Sequence, residues 1–294
     1  MNKNNIYTLE DRGILYLQGE NILEFLQNLI TNDVNKVKEN YSCFASLLTP
    51  QGKYLFDFII IKHKNGYFLD CEKKQIDQLY KQLNIYKLRS KVEILNLSNE
   101  FVVAAISREK FLSLQNAKDE SGFTMKYNED SIILDPRNKE LGARLIINLE
   151  KLDHSIKKLE LNSKESSEYY MYSHRLGIAQ LDTDKLQNKI FGIECNFEEL
   201  NGIDFKKGCY VGQENTSRIK LKNKLSKRLL PIQLIDGDIK DEIIKHNDYE
   251  IGKVLIKNKF PFALVKFSNE NFNEKNEFSC GNVKIKIIKP SWIK

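Results

Sequence analysis

The chain has 294 residues, a formal net charge of +6, and is 41% hydrophobic and 29% charged. This composition excludes a disordered chain, and the length favours two or three domains over one core. No apolar run reaches membrane-spanning length, and no apolar signal core follows Met1-Asn2-Lys3-Asn4-Asn5, so a cytoplasmic protein without membrane contact is expected.

Five widely spaced cysteines (Cys43, Cys71, Cys195, Cys209 and Cys280) include no Cys-x-x-Cys, and the four histidines lack metal-ligand spacing. Free thiols in a reducing compartment are expected, with no stably bound metal. The lysines are scattered, with modest clusters at Lys206-Lys207 and from Lys220 to Arg228. A solvated basic surface accounts for them, although a polyanionic partner would also suit the charge.

In chain order, Gly13 to Leu17 reads as a strand. Ile22, Phe25, Leu26, Leu29 and Ile30 then form one apolar face at helical spacing, which Thr31-Asn32-Asp33 interrupts. Tyr41 to Leu48 is strand-like, Pro50-Gln51-Gly52 is a turn, and Lys53 to Ile61 is a second strand. Asn65-Gly66 before Tyr67 to Asp70 predicts a hairpin, because both turn residues tolerate positive φ. Ile76, Leu79, Tyr80 and Leu83 mark a second amphipathic helix. Lys91 to Leu97, Phe101 to Ile106, Ser131 to Leu134 and Ala143 to Ile147 are further strands, and Glu165 to Gly177 is helical. From Lys227 onward only short strands alternate with polar turns, which predicts a small β domain. The fold class is α+β, with helices on antiparallel sheets.

One stretch stands apart, Phe205-Lys206-Lys207-Gly208-Cys209-Tyr210-Val211-Gly212-Gln213-Glu214. Two glycines bracket Cys209, which places a thiol on a turn where backbone can be strained or closely approached. A helix opening at Gln213 would turn its positive end towards this turn, and Lys206, Lys207 and Arg218 add charge that favours the thiolate, the nucleophilic and metal-binding form. A buried, unreactive turn cysteine is the plain alternative.

Lys207 to Glu214 resembles the signature of the YgfZ family, Lys-Gly-Cys-Tyr-x-Gly-Gln-Glu. Further blocks resemble the same family: Phe25 to Val34, Pro50-Gln51-Gly52-Lys53, Asp135-Pro136-Arg137, Leu141-Gly142-Ala143-Arg144, Arg175 with Gly177 and Ile178, and Glu194, Asn196, Leu200, Gly202 and Phe205. The likeness covers roughly the first 230 residues. It departs at Gly192, where the family pattern leads one to expect proline.

The resemblance implies a three-domain fold similar to the glycine-cleavage T-protein. Its expected parts are a discontinuous folate-binding domain over 1–48 and 131–225, an inserted α+β domain over 49–130 and a C-terminal β-barrel over 226–294. It further implies a tetrahydrofolate-binding accessory protein that helps assemble or repair [4Fe–4S] enzymes and thereby indirectly supports tRNA modification. Cys209 is the expected functional thiol. Glu194 is the expected pterin reader, since a carboxylate accepts two parallel N–H bonds, and Arg175 and Arg218 are candidates for the folate tail. Lys207, Gly208, Tyr210, Gly212, Gln213 and Glu214 would shape the motif loop. Expected partners are iron–sulfur client enzymes or cluster-assembly factors and folate; direct nucleic-acid binding is not expected, and a monomer is. Two rival functions stay open, an aminomethyltransferase-like folate enzyme and a direct tRNA-binding or tRNA-modifying protein.

Overall fold

The computed structural model describes residues 1–127, 130–222, 225–267 and 276–293. Its first layer is a five-stranded antiparallel sheet in the order Cys43–Leu48, Tyr54–His63, Gly66–Glu72, Arg12–Gln18, Glu93–Asn96. Side chains alternate across it with period two. Leu15, Leu17, Phe58 and Ile60 face helices α1 (Ile22–Leu29) and α2 (Ile76–Lys87), which bury Phe25, Leu26, Leu29, Leu79 and Leu83 against them. Ile14, Tyr16, Ile59 and Ile61 point the other way, into the largest core.

That core is shared with a second sheet, ordered Asn162–Lys164, Asn5–Thr8, Phe101–Ile106, Ala143–Asn148, Asp130–Leu134, Thr124–Tyr127. Only its Asn5–Thr8/Asn162–Lys164 pair is parallel. Val103, Ala105, Ile133 and Ile146 meet the first sheet, and Ile132, Leu134, Leu145 and Ile147 pack on the outer side with Phe111 of α3 (Arg108–Leu112) and Ile156 of α4 (Leu152–Lys158). Tyr169 and Tyr170 of α5 (Ser166–Arg175) enter the shared core, so this aromatic stripe is packing. The chain ends in a closed six-stranded barrel, Lys227–Leu234, Phe262–Lys266, Tyr249–Ile256, Ile243–His246, Phe278–Cys280, Val283–Ile287, joined to the rest by α6 (Gln213–Leu221).

Two domain divisions expected from the sequence fall inside paired structure. Position 48/49 lies within a hairpin, since Cys43–Leu48 pairs with Tyr54–His63, and 130/131 lies within the strand Asp130–Leu134. The polar turn Pro50-Gln51-Gly52 closes a hairpin here. The Asn65-Gly66 hairpin forms, but its left-handed residue is Lys64, with φ 46°. Gly66 is already in the strand, where a Cβ would collide with the Leu17 carbonyl.

Between the two sheets lies a buried charged network. Arg12 Nε donates to Asp70 at 2.7 Å, Arg144 donates to Asp70, Asp135 and Gln180, and Arg137 donates to Asp135 at 2.7 Å. Asp70 and Asp135 are 0% exposed, and neighbouring guanidiniums hold both carboxyls below the ordinary range despite burial. The pairs tie the first sheet to the second.

Candidate functional site

The signature turn is anchored at both ends to the C-terminus of α1. Lys207 Nζ donates to the carbonyls of Gln27 and Ile30, each at 2.7 Å, and of Asn32 at 3.0 Å. Gln27 lies in the last turn of α1 and Ile30 is its C-cap, so the ammonium sits at the negative end of the helix, where a cation is favoured. On the other side of Cys209, Val211 N donates to the Asn28 carbonyl at 3.2 Å. Gly208 and Cys209, between these anchors, are exposed. The other four cysteines are buried.

Lys207 therefore points inward. It was expected to charge the surroundings of Cys209; instead its ammonium is enclosed by carbonyls, and burial pushes it down to about 8. Arg218 is one turn into α6 and pairs with Glu214 at 2.7 Å. The charge cluster expected from Lys220 to Arg228 includes residues 223–224, which lie outside the described residues.

Other sequence blocks converge on the same turn. Thr31 Oγ1 donates to the Gly202 carbonyl at 2.6 Å, and Asn32 Nδ2 to those of Phe44 and Asn201 at 2.8 and 2.7 Å. The break after α1 thus holds the segment leading into the motif. Gly212 starts α6 in the left-handed conformation, φ 83°, and a Cβ there would collide with the Thr49 carbonyl. Asn215 Nδ2 donates to the Gln51 carbonyl at 2.9 Å. The 49–53 turn is gripped from its other side as well: Lys53 bridges to Phe191, and Gly192 N donates to the Gly52 carbonyl at 3.3 Å. At Gly192 a Cβ would come 2.8 Å from Leu48 Cδ2, so glycine permits the close approach.

Glu194 sits in that neighbourhood, in the short 3₁₀ turn Gly192–Cys195. Its Oε2 accepts from Phe191 N at 2.8 Å, a capping arrangement. Burial raises its pKa, against the backbone hydrogen bond and the attraction of Lys53 and Lys227. One carboxylate oxygen is thus committed to the fold.

A cavity of about 550 Å³ opens beside this turn, with Ile193, Glu199, Ile219, Leu225, Arg228 and Trp292 among its walls. Arg228 pairs with Glu199 Oε1 at 2.7 Å and with Asn196 Oδ1 at 3.0 Å. Glu199 Oε2 is buried and has no hydrogen-bond partner. Glu198, Asn201 and Lys220 complete a lining that mixes charged and apolar side chains, and the volume lies within the ~300–1,000 Å³ of small-molecule sites. The lining carboxylates are groups that could accept paired N–H bonds of the kind a pterin offers. Sequence reading missed Glu199, Arg228 and Trp292, which lie outside the signature and meet only through folding.

The expected tail-binding arginines do not share this cavity. Arg218 lines a shallow cleft with Pro50, Tyr210 and Leu221, while Arg175 lines a polar cleft with Asn5, Tyr7 and Lys164 at the edge of the second sheet. Glu72, Asp182 and Asp184 cluster closely enough for a cation, but Lys74 pairs with all three. No helix among the described residues is long and apolar enough to cross a membrane.

No protein-family model matches the chain. Curated relatives do. The mitochondrial iron–sulfur cluster assembly factor IBA57 homolog of Dictyostelium discoideum is 29% identical over 267 residues, covering 81% of this chain and 64% of the relative. The namesakes from Neurospora crassa and Mycosarcoma maydis are 28% and 27% identical, covering 76% and 75% of this chain and 52% and 55% of theirs. The chain thus spans less than two thirds of the length of these relatives. Among solved structures, the glycine cleavage system aminomethyltransferase T of Bartonella henselae matches with a TM-score of 0.77, covering 98% of this chain and 86% of that one at 12% identity. This likeness establishes the T-protein-like fold: α+β with antiparallel sheets and a closed C-terminal barrel.

The relatives also correct one expectation. The absence of a signal core led to a cytoplasmic location, an expectation that these relatives, all named as mitochondrial, overturn. With the anchored Cys209 turn and the T-protein-like fold in place, the chain's homologues are the IBA57 iron–sulfur cluster assembly factors, YgfZ-family proteins, at about 28% identity over most of its length.

Proposed function

We propose that the chain is an accessory protein for assembly or repair of iron–sulfur enzymes and presents Cys209 to an iron–sulfur substrate. The observation that carries this reading is the exposure of Cys209 between two anchors on α1, while every other cysteine is buried. A thiol on a fixed, accessible turn can meet iron or sulfur carried by another molecule, acting as the thiolate. The names of the relatives support the same reading. Any effect on tRNA modification would be indirect, through a client enzyme. The test is rescue: the chain should restore [4Fe–4S] enzyme activity in cells lacking their own homologue, and failure of a folded, soluble chain to do so would count against it.

We further propose that tetrahydrofolate or a derivative occupies the cavity beside Glu194. The Glu199 carboxylate would accept from the pterin N–H groups with Arg228 steadying it, and the indole of Trp292 with Ile193 and Ile219 would flank the ring. Glu194 would stabilise the turn that forms one wall. Bound folate supplies one-carbon and redox chemistry; this reading assigns the chain's residues only binding and orientation. Trp292 is the single tryptophan, so its fluorescence should change on titration with tetrahydrofolate. Glu199→Gln should weaken that binding ~10-fold or more, because a paired carboxylate bond is replaced by a weaker neutral one. Unchanged affinity in the variant would remove Glu199 from the site.

A further inference from the structure

Helix α2 ends on a residue that neither folding nor solubility accounts for. Leu88, its C-cap, has φ 43°, on the positive side where glycine or a short polar residue is usual. Among the described residues every other non-glycine position with positive φ carries a polar side chain. Leu88 is also 88% exposed, more than any other large apolar residue described, and Ile85, three positions before it on the helix, is 64% exposed. Single exposed leucines are ordinary, but two apolar side chains on one helical turn, one of them on strained backbone, are not. A cavity of about 750 Å³ opens beside them between α1 and α2. Phe25, Leu29 and Tyr86 line it together with Leu88, while Glu24, Asn28 and Arg89 supply polar groups. From Gln78 to Val92 the chain carries four cations, Lys81, Lys87, Arg89 and Lys91, and no carboxylate. Lys91 pairs with Glu20 at 2.8 Å, whereas Lys81, Lys87 and Arg89 form no ion pair among the described residues.

We propose that this end of the α1/α2 layer docks on a membrane surface containing anionic phospholipid, with Ile85 and Leu88 entering the interface and Lys81, Lys87 and Arg89 meeting lipid phosphates. Apolar side chains at a projecting helix end suit a fluid interface, which closes around them, whereas a rigid protein partner needs a matching pocket. Positive charge beside them selects an anionic surface over a neutral one. The cavity takes part of one lipid, with Phe25, Leu29 and Tyr86 beside an acyl chain and Arg89 beside the headgroup phosphate. Two side chains and a few charges give reversible attachment, not permanent anchoring. Such a contact lies on the surface and needs no spanning helix, so it replaces the expectation of no membrane contact drawn from the lack of a spanning run.

The test is co-sedimentation of the full chain with vesicles of phosphatidylcholine, alone or mixed with phosphatidylglycerol. Wild type should bind the mixed vesicles ~10-fold or more tightly than the neutral ones, and added salt should weaken that binding. Leu88→Gly removes the side chain and suits the positive φ, so it should melt no lower than wild type yet bind the mixed vesicles ~10-fold more weakly. Ile85→Ser should weaken binding in the same direction, and it decides if Leu88→Gly melts lower than wild type. Lys87→Glu with Arg89→Glu should weaken binding ~10-fold or more. Lys245→Glu with Lys286→Glu, on the barrel strands, makes the same change in net charge and should leave binding within about twofold of wild type. Absence of binding to the mixed vesicles would overturn the proposal. So would wild-type binding by the apolar variants, or equal loss from the barrel pair, since either marks adsorption by net charge alone. Self-association of wild type that Leu88→Gly abolishes would assign the face to a second copy and overturn it too. None of these readouts involves Cys209 or folate, so failed iron–sulfur rescue would count against the accessory function and leave them untouched.

Discussion

The Lys207 ammonium lies 2.7 Å from the Ile30 carbonyl oxygen, so the residue two before Cys209 closes the end of the helix that begins the first sheet's cover. Lys207→Met should leave three carbonyls without this donor and lower stability by about 2–3 kcal/mol, in the range of hydrogen bonds to charged groups. Urea unfolding measures it. Stability equal to wild type would show that water satisfies these carbonyls equally well.

Glu194 gives a pH signature. Burial places its folded-state pKa above the ordinary 4.5. Between 4.5 and the folded value the native state holds more protons than the unfolded chain, so stability falls as pH rises through that window. Below the window this contribution is fully present. Glu194→Gln keeps an acceptor for Phe191 N but cannot ionise, so the difference in melting temperature between variant and wild type should grow in the variant's favour as pH rises from 4.5. A pH-independent difference would contradict this assignment.

Asp70 faces Arg12 and Arg144, with no exposure to water. Asp70→Asn should cost about 3–5 kcal/mol, because it leaves two buried guanidiniums sharing reduced negative charge. A soluble variant with wild-type unfolding would show the network to be dispensable.

Gly212→Ala should destabilise by at least about 1–2 kcal/mol from the left-handed backbone alone, with the collision at Thr49 adding to it. Thermal unfolding beside Gly208→Ala separates the two glycines: a Cβ at Gly208 meets nothing within 4 Å, so only the first should lose stability.

Much of this was legible from local pattern. The helical spacing of Ile22, Phe25, Leu26 and Leu29 and the strand alternation of the first sheet appear as read. The six-stranded closure of the C-terminal region follows the short-strand pattern, although Ile243–His246 and Phe278–Cys280 escaped notice because each is too short to show alternation. Position 48/49 falls in a hairpin and 130/131 at the start of a strand, and a polar turn such as Pro50-Gln51-Gly52 looks alike in sequence whether it closes a hairpin or joins two domains. The direction of Lys207 was also beyond the sequence: a lysine beside a cysteine reads as surface charge, and only the arrival of α1's carbonyls turns it inward. Glu199, Arg228 and Trp292 come from three separate segments and meet across the start of the barrel, a long-range contact that no local spacing encodes.

The most direct measurement is the activity of a [4Fe–4S] enzyme in cells lacking their own homologue, supplied with wild type or Cys209→Ala at equal protein level. Rescue by wild type and none by the variant is the expected result, since the turn is built to expose that one thiol. Equal rescue by both would contradict the role given to Cys209.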